Sequence, residues 1–134
     1  MGSRIADEVE FHARMVGLVA KNLFPFPNED HPTWKTYVNH PKRVKSVDSL
    51  YPDIVVIEIL RNKVVMIGEV ETESTITEDE ATGKWKSYSA LCSSFFLYVP
   101  KGLGMQAKEL LDKLRMKIKL GVYDENGNIM MARY

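Results

Sequence analysis

Cysteine is nearly missing from this chain. Cys92 stands alone among 134 residues, which excludes an internal disulfide framework and fits a reducing, cytoplasmic setting. An excess of charge of one sign is also missing, with 18 Lys plus Arg against 18 Asp plus Glu. Strong sequence-independent nucleic-acid binders carry a basic excess, so that class is disfavoured, although a local basic face remains open. No apolar run approaches the roughly 18 residues of a membrane span, and no signal-peptide pattern opens the chain. No Gly-rich phosphate loop is visible, and the three histidines, His12, His31 and His40, do not fall at a zinc-binding spacing. What is present is ordinary for a globular protein: 45% hydrophobic and 27% charged residues, enough for one core and one domain over residues 1–134.

Periodicity orders the chain as helix, strands, helix, strand, helix, strand. Ile5, Val9, Ala13, Val16, Ala20 and Leu23 predict a helix from about Arg4 to Phe24, capped by Ser3 and stopped by Pro25 and Pro27. Residues 25–50 are broken by Pro32 and Pro41, with a short strand expected near Thr36 to Val38 or Arg43 to Val47. Asp53 to Leu60 and Lys63 to Glu71 are rich in β-branched residues and separated only by Arg61-Asn62, which reads as a β-hairpin. Thr77-Glu-Asp-Glu80 is a capping box that opens a helix with Ala81, Trp85, Tyr88 and Cys92 on one face. Phe95 to Val99 is a buried strand. Ala107, Leu110, Leu111, Leu114 and Ile118 mark a further amphipathic helix, and Leu120 to Tyr123 a strand paired across Asn126-Gly127 with Ile129 to Ala132. The strand–helix–strand unit over 95–123 implies a parallel crossover in a mixed sheet, an α/β fold.

The hairpin carries the chemistry. With a turn centred on Asn62, Asp53 faces Glu71, and a slip of one residue changes the partner but keeps the two ends together. Glu69 and Glu71 project from the same face of their strand. Three carboxylates thus gather at one end of an apolar hairpin, where opposed like charges destabilise the pair. A hard divalent cation such as Mg²⁺ is the natural compensator. The competing reading makes Glu69, Glu71 and Glu73 a solvated stripe.

Tyr51-Pro52-Asp53, the hairpin, Gly68-Glu69-Val70-Glu71 and the capped helix after it resemble the PD-(D/E)xK, restriction-endonuclease-like nucleases over roughly residues 4–123. That resemblance implies a restriction-endonuclease-like αβββαβ core with a mixed sheet flanked by helices. It implies that Asp53 and Glu69 ligate Mg²⁺ (or Mn²⁺) and that the metal activates water against a phosphodiester. The family's lysine position is occupied by Glu71. Glu71 then serves as a further ligand or base, or a lysine has moved to the next helix, where Lys84 lies nearer the Trp85/Tyr88 face than Lys86. The first helix of such enzymes often adds an acidic residue, making Glu8 a candidate ligand, with His12 one turn on at the same cleft edge.

The expected function is therefore Mg²⁺-dependent hydrolysis of DNA, with Asp53, Glu69, Glu71 and Lys84 catalytic and Asp53, Glu69, Glu71 and Glu8 at the metal. A homodimer or partner protein is expected if duplex DNA is cut. The alternative is a catalytically inactive nuclease-like module that binds nucleic acid or protein. Two basic groups are candidates for phosphate contact: Lys35, Lys42, Arg43 and Lys45 with Trp34 and Tyr37, and Lys108, Lys113, Arg115, Lys117 and Lys119. Trp85 and Tyr88 are read as core. Asp124 to Asn128 is read as a hairpin turn, since it lacks the terminal glutamate of a calcium loop.

Overall fold

A computed structural model describes residues 2–131 of the chain, with side chains described over 7–131. The architecture is a mixed α/β fold: an open six-stranded sheet flanked by helices, its strands in sequential order β1 to β6. Helix α1 (Gly2–Leu23) precedes β1 (Trp34–Val38), β2 (Ile54–Glu58) and β3 (Lys63–Val70). Then come α2 (Glu78–Glu80), a π turn (Ala81–Trp85), α3 (Lys86–Leu91), β4 (Phe95–Pro100), α4 (Gly104–Lys113), β5 (Lys119–Tyr123) and β6 (Ile129–Met131). β1, β2 and β3 pair antiparallel, β3, β4 and β5 pair parallel, and β6 returns antiparallel.

The two faces of the sheet bury different helices. Met15, Val16 and Val19 of α1, with Phe24 just after it, pack on Ile54, Val56, Val70 and Tyr98. Ala81, Trp85, Tyr88, Ala107 and Leu111 pack on Ile67, Leu97, Val99 and Leu120 on the other face. The period-2 alternation of β2 and β3 feeds both layers, which is why these strands read as nearly continuous apolar runs. Among the described residues no helix is long and apolar enough to cross a membrane.

Several boundaries differ from the sequence reading for identifiable reasons. Ser3 lies inside α1 and so does not cap it. Of the two candidate strands before Asp53, residues 34–38 form β1, while 43–47 stay irregular apart from a single bridge between Val47 and Leu50. α4 ends at Lys113 instead of running to Ile118. Met116 N–H closes onto the Leu111 carbonyl and Arg115 N–H onto Asp112, with Arg115 at φ 55°. That is a Schellman-type stop in which arginine occupies the left-handed position usually held by glycine, so no glycine announced it. Ala132, expected in the last strand, and the side chain of Ile5 lie outside the described residues.

A candidate metal centre at the end of the central hairpin

The hairpin register places the carboxylates. Ile54 pairs with Gly68, Val55 with Ile67 and Val56 with Met66, and an irregularity follows between Val56 and Ile57. Continued outward, this register sets Asp53 opposite Glu69, not opposite Glu71 as the symmetric turn predicts. The irregular pairing near the turn shifts the alignment, an effect that counting from Asn62 cannot foresee. The pair is locked reciprocally. Asp53 N–H donates to Glu69 Oε1 at 2.7 Å, and Val70 N–H donates to Asp53 Oδ2 at 2.8 Å.

Glu71 continues past the end of β3 but stays tied to the sheet. Its N–H donates to the Tyr98 carbonyl at 2.8 Å, and its own carbonyl accepts from Tyr123 Oη at 2.6 Å. Its Oε1 accepts from Trp85 Nε1 at 3.0 Å. Trp85 is fully buried, so it is a core residue as expected and also orients a site carboxyl. Thr77 accepts the Glu80 N–H at 3.2 Å and starts the helix that delivers Trp85. Asp53, Glu69 and Glu71 are only 3–4% exposed, which excludes the solvated-stripe reading for Glu69 and Glu71; Glu73 is exposed.

All three carboxyls line one cleft of about 570 Å³ together with Glu8, Lys84 and Tyr88. It opens at the C-terminal end of β3, the strand end where open α/β sheets hold their ligands. Glu8 reaches the rim, where its Oε1 accepts from Ser74 Oγ at 3.0 Å. Lys84 also faces the cleft from the π turn, and its nearest acid is Glu80, 3.6 Å away.

The structure places His12 at the cleft edge, as its helical spacing beside Glu8 suggested, and adds His40, which spacing did not reveal. His12 Nε2 lies 3.2 Å from Asp53 Oδ2 and 2.8 Å from the Val70 carbonyl, and His40 Nε2 lies 2.8 Å from Asp53 Oδ1. His40 is placed by its neighbour. Buried Asn39 donates to the Lys45 and Pro52 carbonyls and accepts from the N–H groups of Val44 and Lys45. Its own N–H donates to the Asp53 carbonyl at 2.9 Å. The sequence contained one usable signal. If β1 ends near Val38 and runs antiparallel to β2, then Asn39-His40 must emerge beside Asp53.

Electrostatics divide the acids. Burial pushes the Asp53 carboxyl up, but hydrogen bonds to His12 and His40, the His12 charge and the Val70 N–H together hold it below its ordinary range. Glu69 goes the other way: burial first, then the charges of Asp53 and Glu71, raise it well above 4.5. Burial also raises Glu71, against the opposing hydrogen bonds from Thr75 and Trp85. Burial lowers His12, yet Asp53 and Val70 leave it raised overall. Burial likewise acts against Lys84, but Glu80, Glu69, Glu71 and Asp53 hold it in the cationic form.

This donor set fits a divalent cation. Three acids crowd a desolvated cleft, where burial and the neighbouring carboxylates raise Glu69 and burial raises Glu71. His12, His40 and Asp53 also each offer a ligand atom, all within 4.8 Å of one another.

The basic groups are dispersed by comparison. Lys35 and Lys45 lie over the Tyr37 ring and Arg43 over Tyr51 at the cleft mouth. Lys113 pairs with Glu78 and Lys108 with Asp112. Comparisons with protein-family models, curated proteins and solved structures return no match to this chain.

Proposed function

We propose that the chain is a metal-dependent nuclease of the PD-(D/E)xK, restriction-endonuclease-like kind, hydrolysing phosphodiester bonds in DNA with Mg²⁺ or Mn²⁺. The observation that carries this reading is the burial of Asp53, Glu69 and Glu71 side by side in one cleft that Lys84 also lines. Asp53 and Glu69 are the ligands in this reading, with Glu71 a third ligand or a base. The bound dication lowers the pKa of water and offsets charge at the phosphoryl oxygens. Lys84, kept cationic by the surrounding acids, suits the role of the missing motif lysine by facing the developing negative charge. Trp85 and Tyr123 fix the Glu71 side chain and backbone. Arg43 at the cleft mouth is placed to meet a phosphate.

A direct test incubates labelled duplex, single-stranded and branched DNA with the protein and Mg²⁺ or Mn²⁺. Cleavage is expected in the wild type and is abolished in Asp53→Asn and Glu69→Gln, which keep side-chain shape. Lys84→Ala is expected to slow it by about 10² to 10³ without changing the circular dichroism spectrum. Undiminished cutting by Asp53→Asn would sink the assignment. The buried Trp85–Glu71 hydrogen bond at the lysine position favours a second reading, a non-cutting binding module. Tight, metal-independent binding with no cleavage of any DNA in the panel supports that one.

A further inference from the structure

We infer that His12, His40 and Asp53 form a second cation site, selective for a nitrogen-accepting transition-metal dication such as Co²⁺ or Zn²⁺. This goes beyond the nuclease reading and holds whether or not the cleft cuts DNA. The three residues come from α1, the β1–β2 loop and the position just before β2, and their ligand atoms all lie within 4.8 Å of one another. The individual separations have the right size. Ligand atoms at about 2.1 Å from an ion, set at right angles, stand about 3 Å apart. The His12 Nε2–Oδ2 and His40 Nε2–Oδ1 separations are 3.2 and 2.8 Å. For His12 to ligate an ion, its Nε2 gives up the 2.8 Å contact with the Val70 carbonyl.

The supporting shell is built as well. Asn39 fixes the loop that carries His40 through four side-chain hydrogen bonds. Val70 N–H orients the Asp53 carboxylate, and the two imidazoles meet edge to face with centroids 4.4 Å apart. Such outer contacts are what hold metal-binding side chains in place. The side chains of His12 and His40 retain 22% and 34% of their exposure, which gives an ion a path from solvent and leaves room for a water or substrate oxygen.

Donor chemistry separates this position from the carboxylate one. Two imidazoles and a carboxylate favour Co²⁺ or Zn²⁺ over Mg²⁺. Glu69 and Glu71, on the other side of Asp53, offer only hard oxygen and favour Mg²⁺. Asp53 belongs to both positions.

The test strips the full-length protein with EDTA and titrates it with Co²⁺. Visible Co²⁺ absorption at one equivalent is expected, together with ¹⁴N coupling in pulsed electron paramagnetic resonance of the Co²⁺ form. His40→Ala should weaken Co²⁺ binding by about tenfold or more, while Glu69→Gln keeps the nitrogen coupling. Absence of nitrogen coupling in the wild type at one equivalent of Co²⁺ overturns the site, and that measurement needs no variant to fold. Unchanged Co²⁺ affinity in folded His40→Ala also overturns it. A protein that cuts DNA with an all-oxygen Co²⁺ spectrum loses this site and keeps the nuclease reading; nitrogen coupling without cleavage does the reverse.

Discussion

Replacing Asn39 by alanine should destabilise the domain and also disturb the metal centre, and the size of the first effect follows from the hydrogen bonds. Asn39 is 1% exposed. Its side chain donates to the Pro52 carbonyl at 2.6 Å and the Lys45 carbonyl at 2.9 Å, and accepts from Val44 and Lys45 N–H at 2.8 Å each. The Pro52 bond is buried and water cannot replace it, so an orphaned carbonyl costs about 1–3 kcal/mol. The other three groups sit in a loop with solvent-facing residues, where water restores much of each bond at a net loss of about 0.5 kcal/mol. The sum is about 3 kcal/mol. For a domain of this size that lowers the melting temperature by roughly 10 °C. Urea unfolding followed by circular dichroism measures it as a shift in midpoint at constant slope. The folded fraction of the variant should also bind Co²⁺ more weakly, because His40 is no longer held beside Asp53. A loss below about 1 kcal/mol, with Co²⁺ affinity intact, refutes the clamp.

Metal-free protein should lose stability as pH rises. A raised carboxyl adds stability that is full below its unfolded value, 4.5 for Glu69 and Glu71, and is lost as pH climbs through the folded value. His12, raised from 6.5, acts in the same sense, whereas the lowered Asp53 contribution is present above 3.8 and lost only in stronger acid. Mg²⁺ should therefore raise the melting temperature more at about pH 8 than at about pH 5, and an equal shift at both contradicts the crowding of acids. Trp85→Phe removes the 3.0 Å donor to Glu71 and should cost about 2 kcal/mol while weakening Mg²⁺ binding; calorimetric titration showing wild-type affinity counts against its orienting role. Gly127→Ala meets both a φ of +80° and a Cβ position 2.8 Å from Leu18 Cδ1. It should cost about 2–4 kcal/mol, and thermal melting within about 1 °C of wild type refutes that.

The fold was legible where a local rule and the tertiary outcome agree. The hairpin, the capped helix from Thr77 and the parallel β4–α4–β5 unit all carried periodicity plus a stop or start residue. The misses fall where a stop lacks its usual residue. α4 turns off at Arg115 in a left-handed conformation, and the apolar period through Leu114 and Ile118 ran on past it. Lys84 owes its position partly to the π turn over 81–85, which adds a residue to the helical phase and which no side-chain pattern marked. That Lys84 faces the cleft agrees with its place beside the Trp85/Tyr88 face, but the 100° step alone did not describe the backbone there.

The site divides along the same line. Asp53, Glu69 and Glu71 could be grouped because a hairpin turns sequence distance into spatial distance by counting, and even an error of register kept them adjacent. His12 and His40 are separated from Asp53 by 41 and 13 positions across a helix and an irregular loop, where counting put His12 at a cleft edge but paired neither with Asp53. What brings them together is antiparallel pairing of β1 with β2, which fixes Asn39 beside Asp53, and α1 lying across the sheet end. The buried acid needs donors, since an ionised carboxylate at 3% exposure is sustained only by close partners. Asp53 therefore implies His12 and His40, or groups equivalent to them, once its burial is known. A motif search aimed at lysine overlooks this, because the groups that hydrogen-bond the first acid are imidazoles on other elements.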